Sequence, residues 1–532
     1  MQLTYQGLKD SEGWKKAGIE LPPYNPEELA EKTRQDPRWV HFGIGNIFRI
    51  FIGGIADKLI RKTLLDRGIT CVETFDYDVV DKIYKPFDNL ALAVTLHEDG
   101  RTDKRVLGSL SEALKAPEDW ERLKAIFTNP GLQLVSFTIT EKGYALHGTD
   151  GKYFRFVESD MNNGPEKSTG AMAIVTALLH ERFKAGAKPL ALVSMDNVSQ
   201  NGKKLRESVI ETAETWQSKG FVSSEFVAYV KDDSIIAFNW TMIDKITPRP
   251  SDDVGKMLAD SGVENMSTVI TSKRTYIAPF VNAEGPEYLV IEDNFPNGRP
   301  PLEEAGVYMT DRKTVNLSER MKVTACLNPI HSALCTYDRM LGYELFADGM
   351  HDKDLAELAR QVGYVEALPV VENPGIISPE KFLDECMNVR FPNPYLGDTS
   401  ARIATDISQG LAFRFGETIK AYVSRYGSAE KLKAIPLAIT GWLRYLLALD
   451  DNGKAFELSP DPLNQELTGQ LAGVTLGKPE SLTGQLKPIL SNKNIFGVNL
   501  YEAGLGEKIE AMFREEIAGV GAVRATLRKY LG

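Results

Sequence analysis

Cysteine is scarce: the 532 residues contain four, Cys71, Cys326, Cys335 and Cys386, with no CxxC pair among them. That usage argues against a disulfide framework and a structural zinc site, and it predicts reduced thiols. Long apolar runs are missing as well. No segment reaches the roughly 18 uninterrupted apolar residues of a membrane span, and the nearest, 435–449, is broken by Arg444. The first ten residues lack a basic region followed by an apolar stretch, so a cytoplasmic protein without membrane contact is expected. Positive charge is in deficit, with 62 Lys and Arg against 73 Asp and Glu. A net acidic surface repels phosphate backbones, so no nucleic-acid partner is expected. Internal repeats, low-complexity tracts and long charge runs are absent too, which sets aside solenoids and disordered tails. What remains is an ordinary globular composition, 43% hydrophobic and 25% charged, with length enough for two or three domains.

From about residue 38 to 240, short β-branched runs alternate with amphipathic stretches. Trp39–Phe42, Ile69–Glu73, 134–140, 190–195 and 226–230 read as strands, and 47–62, 170–185 and 203–219 read as helices. Such alternation predicts an α/β domain built on a doubly wound, mostly parallel sheet with both faces covered. After the Gly/Pro-rich segment 295–301, helical patterns dominate at 321–341, 353–362, 400–426, 434–449 and 507–531. A mainly α-helical C-terminal domain is expected, with the boundary near residue 300 and domains spanning 1–300 and 301–532.

The strand Trp39–Phe42 runs into Gly43-Ile44-Gly45-Asn46 and then a helical pattern. Small residues let the backbone approach a pyrophosphate, and the amides of a helix N-terminus hold the anion. Phe48 stands where GxGxxG has its third glycine, and a bare GxG also makes tight turns. Glu73 ends the next strand, where an acid takes ribose hydroxyls, with Asp76 and Asp78 as rivals and a solvated acidic loop as the competing reading. Ser194-Met195-Asp196-Asn197 follows a buried strand at the edge where such sheets bind ligands, yet Asp-Asn is also ordinary turn chemistry. Thr140-Glu141 and Asp244-Lys245 are open to the same two readings. The segment 319–332 sets Lys322, Asn328 and His331 among apolar residues. A lysine buried there exchanges a proton with an alcohol more readily, while Asn328-Pro329 equally suits a helix cap and first helical residue.

Taken together, Gly43-Ile44-Gly45-Asn46-Ile47-Phe48-Arg49, Thr140-Glu141-Lys142-Gly143-Tyr144, Asp196-Asn197, Asp244-Lys245-Ile246-Thr247-Pro248 and Lys322 through Asn328 to His331 resemble the mannitol dehydrogenase family of long-chain polyol-specific dehydrogenases. Order and spacing agree over most of the chain. Cys326-Leu327-Asn328-Pro329-Ile330-His331, Arg390-Phe391-Pro392-Asn393-Pro394, Arg402-Ile403-Ala404-Thr405-Asp406 and 414–420 look most like its fructuronate reductase branch. The resemblance implies a Rossmann-type domain that binds NAD(H), a helical substrate and catalytic domain, and chemistry without a metal. Carried over, Lys322 is the general acid/base, and Asn197 and Asn328 polarise the carbonyl oxygen. His331 orients substrate hydroxyls, Glu319 relays protons, Arg402 holds the distal end of the substrate, and Asp244 belongs to the substrate site. Gly43, Gly45, Asn46, Ile47, Arg49, Glu73, Asp76, Thr140, Glu141 and Asn197 line the cofactor. The implied reaction is NADH-dependent reduction of D-fructuronate to D-mannonate by a monomer or homodimer. Tagaturonate/altronate or fructose/mannitol are the alternatives within the family, and a noncatalytic nucleotide-binding protein is the alternative outside that chemistry.

Two departures from the family pattern carry expectations of their own. The family has four residues between the lysine and the asparagine, and here five intervene. On a regular helix the surplus turns Asn328 by about 100°, so a π-bulge, or a kink at Pro329, is expected to absorb it. Eight residues after Arg402, where many polyol dehydrogenases carry a lysine, this chain has Gly410. Another cation must then meet a sugar acid's carboxylate, and Arg402 with Arg414 as a second clamp is expected.

Overall fold

A computed structural model describes residues 1–148 and 150–532. Contacts divide the chain into two units, one made of 1–96 and 101–316, the other of 97–100 and 317–532. In the first unit, six short apolar runs form strands β1 (Trp39–Phe42), β2 (Ile69–Glu73), β3 (Leu110–Lys115), β4 (Leu134–Phe137), β5 (Leu190–Ser194) and β6 (Ile236–Asn239). They lie in the order β3-β2-β1-β4-β5-β6, every neighbouring pair parallel. This is the order of a doubly wound dinucleotide fold, and the crevice where it reverses opens between β1 and β4.

Successive residues of a strand point to opposite faces, and here both faces are core. Val40, Phe42, Val135, Phe137 and Leu192 pack on one side under helices α2 (Ala171–Lys184) and α3 (Asn201–Ser218). Trp39, Cys71, Leu134 and Val193 pack on the other under α1 (Gly53–Arg61). That two-sided burial is why these strands read as continuous apolar runs without alternation. The expected strand at 226–230 is a correction. Those residues lie in the helix Ser224–Lys231, capped by Ser223, with Phe226, Val227, Tyr229 and Val230 buried. Burial at i, i+1, i+3 and i+4 is a helical stripe, and the edge strand is the later run β6. Three side sheets escaped the sequence reading: Ile19–Glu20, Thr102–Leu107, Ala91–Leu96 and Phe280–Glu284 in one, Thr241–Asp244, Tyr288–Glu292 and Tyr308–Thr310 in the second, and the pair Val269–Ile270 and Tyr276–Ile277 in the third.

The second unit is helical. Its elements include α4 (Asn328–Leu341), α5 (Ile407–Arg414), α6 (Gly416–Tyr426), α7 (Ala434–Tyr445) and α8 (Gly506–Glu516). Every residue of α7 is buried, and α4 and α8 pack against it, which accounts for the apolar run there. Arg444, which breaks that run, donates to the carbonyls of Leu449 and Asp450 at 2.7 and 3.2 Å. The helical pattern at 400–426 is three helices, Ser400–Ile403, α5 and α6. Asp406 interrupts it with φ +53°. Gly416 marks the second break, where a Cβ would lie 2.0 Å from the Phe496 carbonyl oxygen. No helix among the described residues is long and apolar enough to cross a membrane.

Candidate active site

In the first unit, candidate residues gather at the carboxyl edge of β1, β2, β4 and β5. Gly43 leaves β1 with φ +86°, and a Cβ there would meet the Thr138 carbonyl oxygen at 2.1 Å, so only glycine lets the two loops touch. Around Gly45 the space that a Cβ would enter is open to 4 Å, which fits a pyrophosphate approaching the backbone. A chain of hydrogen bonds anchors this turn. Trp39 Nε1 donates to Ser136 Oγ at 2.8 Å, Ser136 Oγ lies 2.7 Å from His41 Nδ1, His41 Nε2 lies 2.9 Å from Thr138 Oγ1, and Thr138 donates to the Gly43 carbonyl at 2.7 Å. Because Thr138 gives its only hydrogen to Gly43, His41 must carry its proton on Nε2, and Nδ1 accepts from Ser136. His41 stacks on Phe48 with ring centroids 4.0 Å apart, and Phe48–Ile52 form a π-helical turn before α1. The missing third glycine is thus a stacked aromatic, and Gly53 makes the close approach to β3, where a Cβ would lie 3.0 Å from Leu110 Cδ2.

Most of the expected cofactor residues gather here, not all by their side chains. Asn46 Nδ2 lies 3.5 Å from the Tyr276 carbonyl, and Ile47 is half-buried beside it. Arg49 points inward. Its Nη2 donates to Asn46 Oδ1 and to the carbonyls of Ala278 and Phe280 at 3.2, 2.7 and 3.1 Å, and burial lowers its pKa to about 10. Glu73 is buried at the end of β2, where its Oε1 accepts from the amides of Thr74, Phe75 and Asp76 at 2.9, 2.9 and 3.3 Å. Burial raises its pKa against those amides, which lower it. Asp76 accepts from Thr271 Oγ1 at 2.6 Å. Glu141 is exposed and pairs with Lys204.

Two residues outside the expected set hold the loops that carry Thr140 and Asn197. The carboxylate of Asp196 accepts from the amides of Ile139 and Thr140, both at 2.9 Å, and from the Tyr144 hydroxyl at 2.6 Å. It thereby pins Thr140 at φ +64°, a conformation an L-residue adopts only under constraint. Asn201 is buried, and its Nδ2 donates to the carbonyls of Asp196 and Thr241 at 3.0 and 3.1 Å. This ties the exposed Asn197 turn to the strand that ends in the buried Asp244. The Asp-Asn pair was visible in the sequence, but the groups that Asp196 holds lie 52 to 57 residues away, and Asn201 reaches Thr241 across 40.

In the second unit, the helix Arg312–Met321 does not run smoothly into α4. Lys322–Cys326 form a π-helical turn, with the amide of Leu327 donating to the Lys322 carbonyl at 3.1 Å, five residues back. The turn takes up one residue, as the long lysine-to-asparagine spacing requires. Lys322 is 1% exposed. Asn328 opens α4, and its Oδ1 is buried with no hydrogen-bond partner among the described residues. The first turn of α6 braces the bulge: Thr418 Oγ1 donates to the Thr324 carbonyl at 3.3 Å, and Glu417 pairs with Arg320 at 2.8 Å. Glu319 is half-buried one turn before Lys322. His331 packs against the rings of Phe346 and Phe391 at 4.8 and 4.9 Å, which gives the 390–394 motif a visible task.

The two expected substrate cations differ. Arg402 is exposed, and its Nε and Nη2 both reach Asp398 Oδ1. Arg414 is half-buried, and its Nη1 donates to Ser332 Oγ at 2.8 Å. The four cysteines are buried free thiols. Among the described residues, no group of three or more His, Cys, Asp or Glu is arranged to hold a metal ion.

Comparison with known proteins agrees with this architecture. The Mannitol dehydrogenase Rossmann domain model matches residues 37–304, and the Mannitol dehydrogenase C-terminal domain model matches 315–515. A D-mannonate oxidoreductase of Thermotoga maritima is 51% identical over 100% of this chain and 99% of its own length. A polyol:NADP oxidoreductase of Gluconobacter oxydans is 29% identical over 86% of this chain and 88% of its own. Among solved structures, substrate-free D-sorbitol dehydrogenase superposes with a TM-score of 0.79 at 26% identity, covering 95% of this chain and 97% of that one. Mannitol 2-dehydrogenase of Pseudomonas fluorescens, in its ternary complex with NAD and D-mannitol, shares the fold at a TM-score of 0.72 and 24% identity, over 100% and 99% of the two chains. With both family models matched in order and a full-length relative at 51% identity, the chain belongs to the mannitol dehydrogenase family of oxidoreductases that act on CH–OH groups.

Proposed function

We propose that the protein interconverts D-fructuronate and D-mannonate, reducing the ketone with NADH and a lysine proton donor, without a metal ion. The observation that carries this reading is the π turn with a buried Lys322 at its start and Asn328, its Oδ1 unpartnered, just beyond its end. It occurs in a chain whose full-length relative is a D-mannonate oxidoreductase. The open backbone at Gly45 and the amides of the following helical turn suit a dinucleotide pyrophosphate. Glu73 and Asp76, at the end of β2, favour NADH by opposing a 2′-phosphate.

A bound dihydronicotinamide supplies the hydride. Lys322 gives a proton to the carbonyl oxygen as negative charge builds on it, and takes that proton back in the reverse direction. Asn328 stabilises the same oxygen as a neutral donor, and the family resemblance gives Asn197 the same role. His331, steadied by Phe346 and Phe391, orients the substrate hydroxyls, Glu319 passes protons to solvent, and the family resemblance adds Asp244 to the substrate-binding residues. Arg402 and Arg414 serve the distal carboxylate.

The test is NADH oxidation followed at the nicotinamide absorbance with fructuronate, tagaturonate and fructose in parallel. Fructuronate should give the highest kcat/KM, and Lys322→Ala should abolish turnover while NADH binding and Tm stay near wild type. A preference for tagaturonate or fructose would overturn the substrate assignment, and an active Lys322→Ala enzyme would overturn the mechanism.

A further inference from the structure

Arg414 closes α5, and its side chain folds back along the helix over Gly410, one turn earlier. A Cβ on Gly410 would lie 2.4 Å from Arg414 Nε and 2.6 Å from its Cζ. The guanidinium therefore fills the place where any other residue's side chain would begin. Its Nη1 donates to the hydroxyl of Ser332 at 2.8 Å, and Ser332 is buried on α4, next to His331 and one turn beyond Asn328.

No carboxylate among the described residues pairs with Arg414. Arg402, Arg320 and Arg524 have carboxylate partners, Asp398, Glu417, and Asp352 with Asp354, and the buried Arg444 spends its donors on backbone carbonyls. Burial also lowers the Arg414 pKa. A partly desolvated guanidinium with one of its five N–H donors on a neutral hydroxyl keeps donors with which to receive a carboxylate. One turn of α4 away, the unpartnered Asn328 Oδ1 lacks a donor. A ligand carrying both a carboxylate and hydroxyl groups completes both.

We propose that Arg414, placed by Gly410 and steadied by Ser332, is the residue that selects a substrate with a terminal carboxylate over the neutral sugar. The inference rests on the function proposed above and adds to it the group that reads the substrate's charge. Arg402, already paired with Asp398, contributes less.

The experiment combines steady-state kinetics on fructuronate and fructose with calorimetric titration of D-mannonate and D-mannitol into the NAD-loaded enzyme. The proteins are wild type, Arg414→Met, Gly410→Ala and Arg402→Met. Arg414→Met should lower the fructuronate-to-fructose ratio of kcat/KM about 100-fold, through KM more than kcat, and weaken mannonate binding to match. Gly410→Ala should weaken mannonate about tenfold without lowering Tm, because alanine is the better helix former and only the guanidinium is displaced. The proposal is overturned if wild type binds mannonate no better than mannitol, or if Arg414→Met keeps the wild-type preference. If wild type fails to reduce fructuronate while the mannonate preference still depends on Arg414, the proposed reaction falls and the charge-reading role stands.

Discussion

Replacing Asp196 with asparagine tests how the first unit presents its cofactor loop. The carboxylate accepts three hydrogen bonds, from the amides of Ile139 and Thr140 and from Tyr144. An asparagine keeps one acceptor oxygen and turns an NH2 group toward at least one of those donors. Hydrogen bonds to a charged acceptor contribute roughly 1.5 to 3 kcal/mol each. Burial already pushes the Asp196 pKa upward, so a neutral side chain recovers part of the desolvation cost. A net loss of about 2 kcal/mol follows. A unit of about 300 residues unfolds with roughly 0.6 kcal/mol per kelvin of entropy, so Tm should fall by about 3 °C. The larger effect is on Thr140. Its φ of +64° costs roughly 1 to 2 kcal/mol unless the surroundings impose it. Once released, the loop must be reordered at each binding event, and NADH affinity should drop about tenfold. Fluorescence titration of NADH and a thermal melt read the two effects. Thr140→Gly in the same chain should restore part of the affinity, since glycine adopts this conformation without strain. An Asp196→Asn protein with wild-type Kd and Tm would refute the reasoning.

Thr418→Val removes the hydrogen bond to the Thr324 carbonyl within the π turn. It should lower kcat about fivefold with a Tm loss of about 1 °C, and Thr418→Ser should restore both; an unchanged kcat would show that the turn holds its shape unaided. Burial raises the pKa values of Asp338 and Glu516 to about 8. The unfolded chain loses these protons near pH 4, while the folded protein keeps them until about pH 8. Their contribution to stability is therefore fully present below pH 4 and is lost as pH rises to about 8. Glu516→Gln with Asp338→Asn should flatten the decline of Tm between pH 5 and 9, and a parallel slope in the double variant would contradict the assignment.

The parallel sheet and the glycine turn were legible because each is local: a run of apolar residues, then small ones, then a helical stripe. The π turn was legible as a surplus residue between Lys322 and Asn328. What stayed hidden depends on distance along the chain. Ala91–Leu96 pairs with nearby Thr102–Leu107 on one side and with Phe280–Glu284 on the other, and no local pattern announces the second pairing. The 226–230 run was misread because a five-residue apolar stretch satisfies strand and helix alike until its partners are known. The roles of Asp196 and Asn201 required contacts with residues 40 or more positions away. The difference between Arg402 and Arg414 was within reach, since Asp398 and Gly410 each stand four residues earlier, but the spacing alone does not say which arginine folds back on which neighbour.

The hydrogen-bonded chain from Trp39 through Ser136, His41 and Thr138 to Gly43 runs one way, with each hydrogen committed to the next acceptor. An extra proton breaks the direction of this chain. An imidazolium at His41 would present two donors, and the Ser136 hydroxyl would have to give up its bond to Nδ1 and turn to the Val40 carbonyl, 3.5 Å away. Burial accordingly holds the His41 pKa well below its ordinary value. Below about pH 6.5 the unfolded chain takes up a proton here that the folded protein refuses, so stability falls with acid by up to about 1.4 kcal/mol per pH unit. A proton taken up in acid thus acts on the turn at the end of β1, through the hydrogen bonds that hold its glycine.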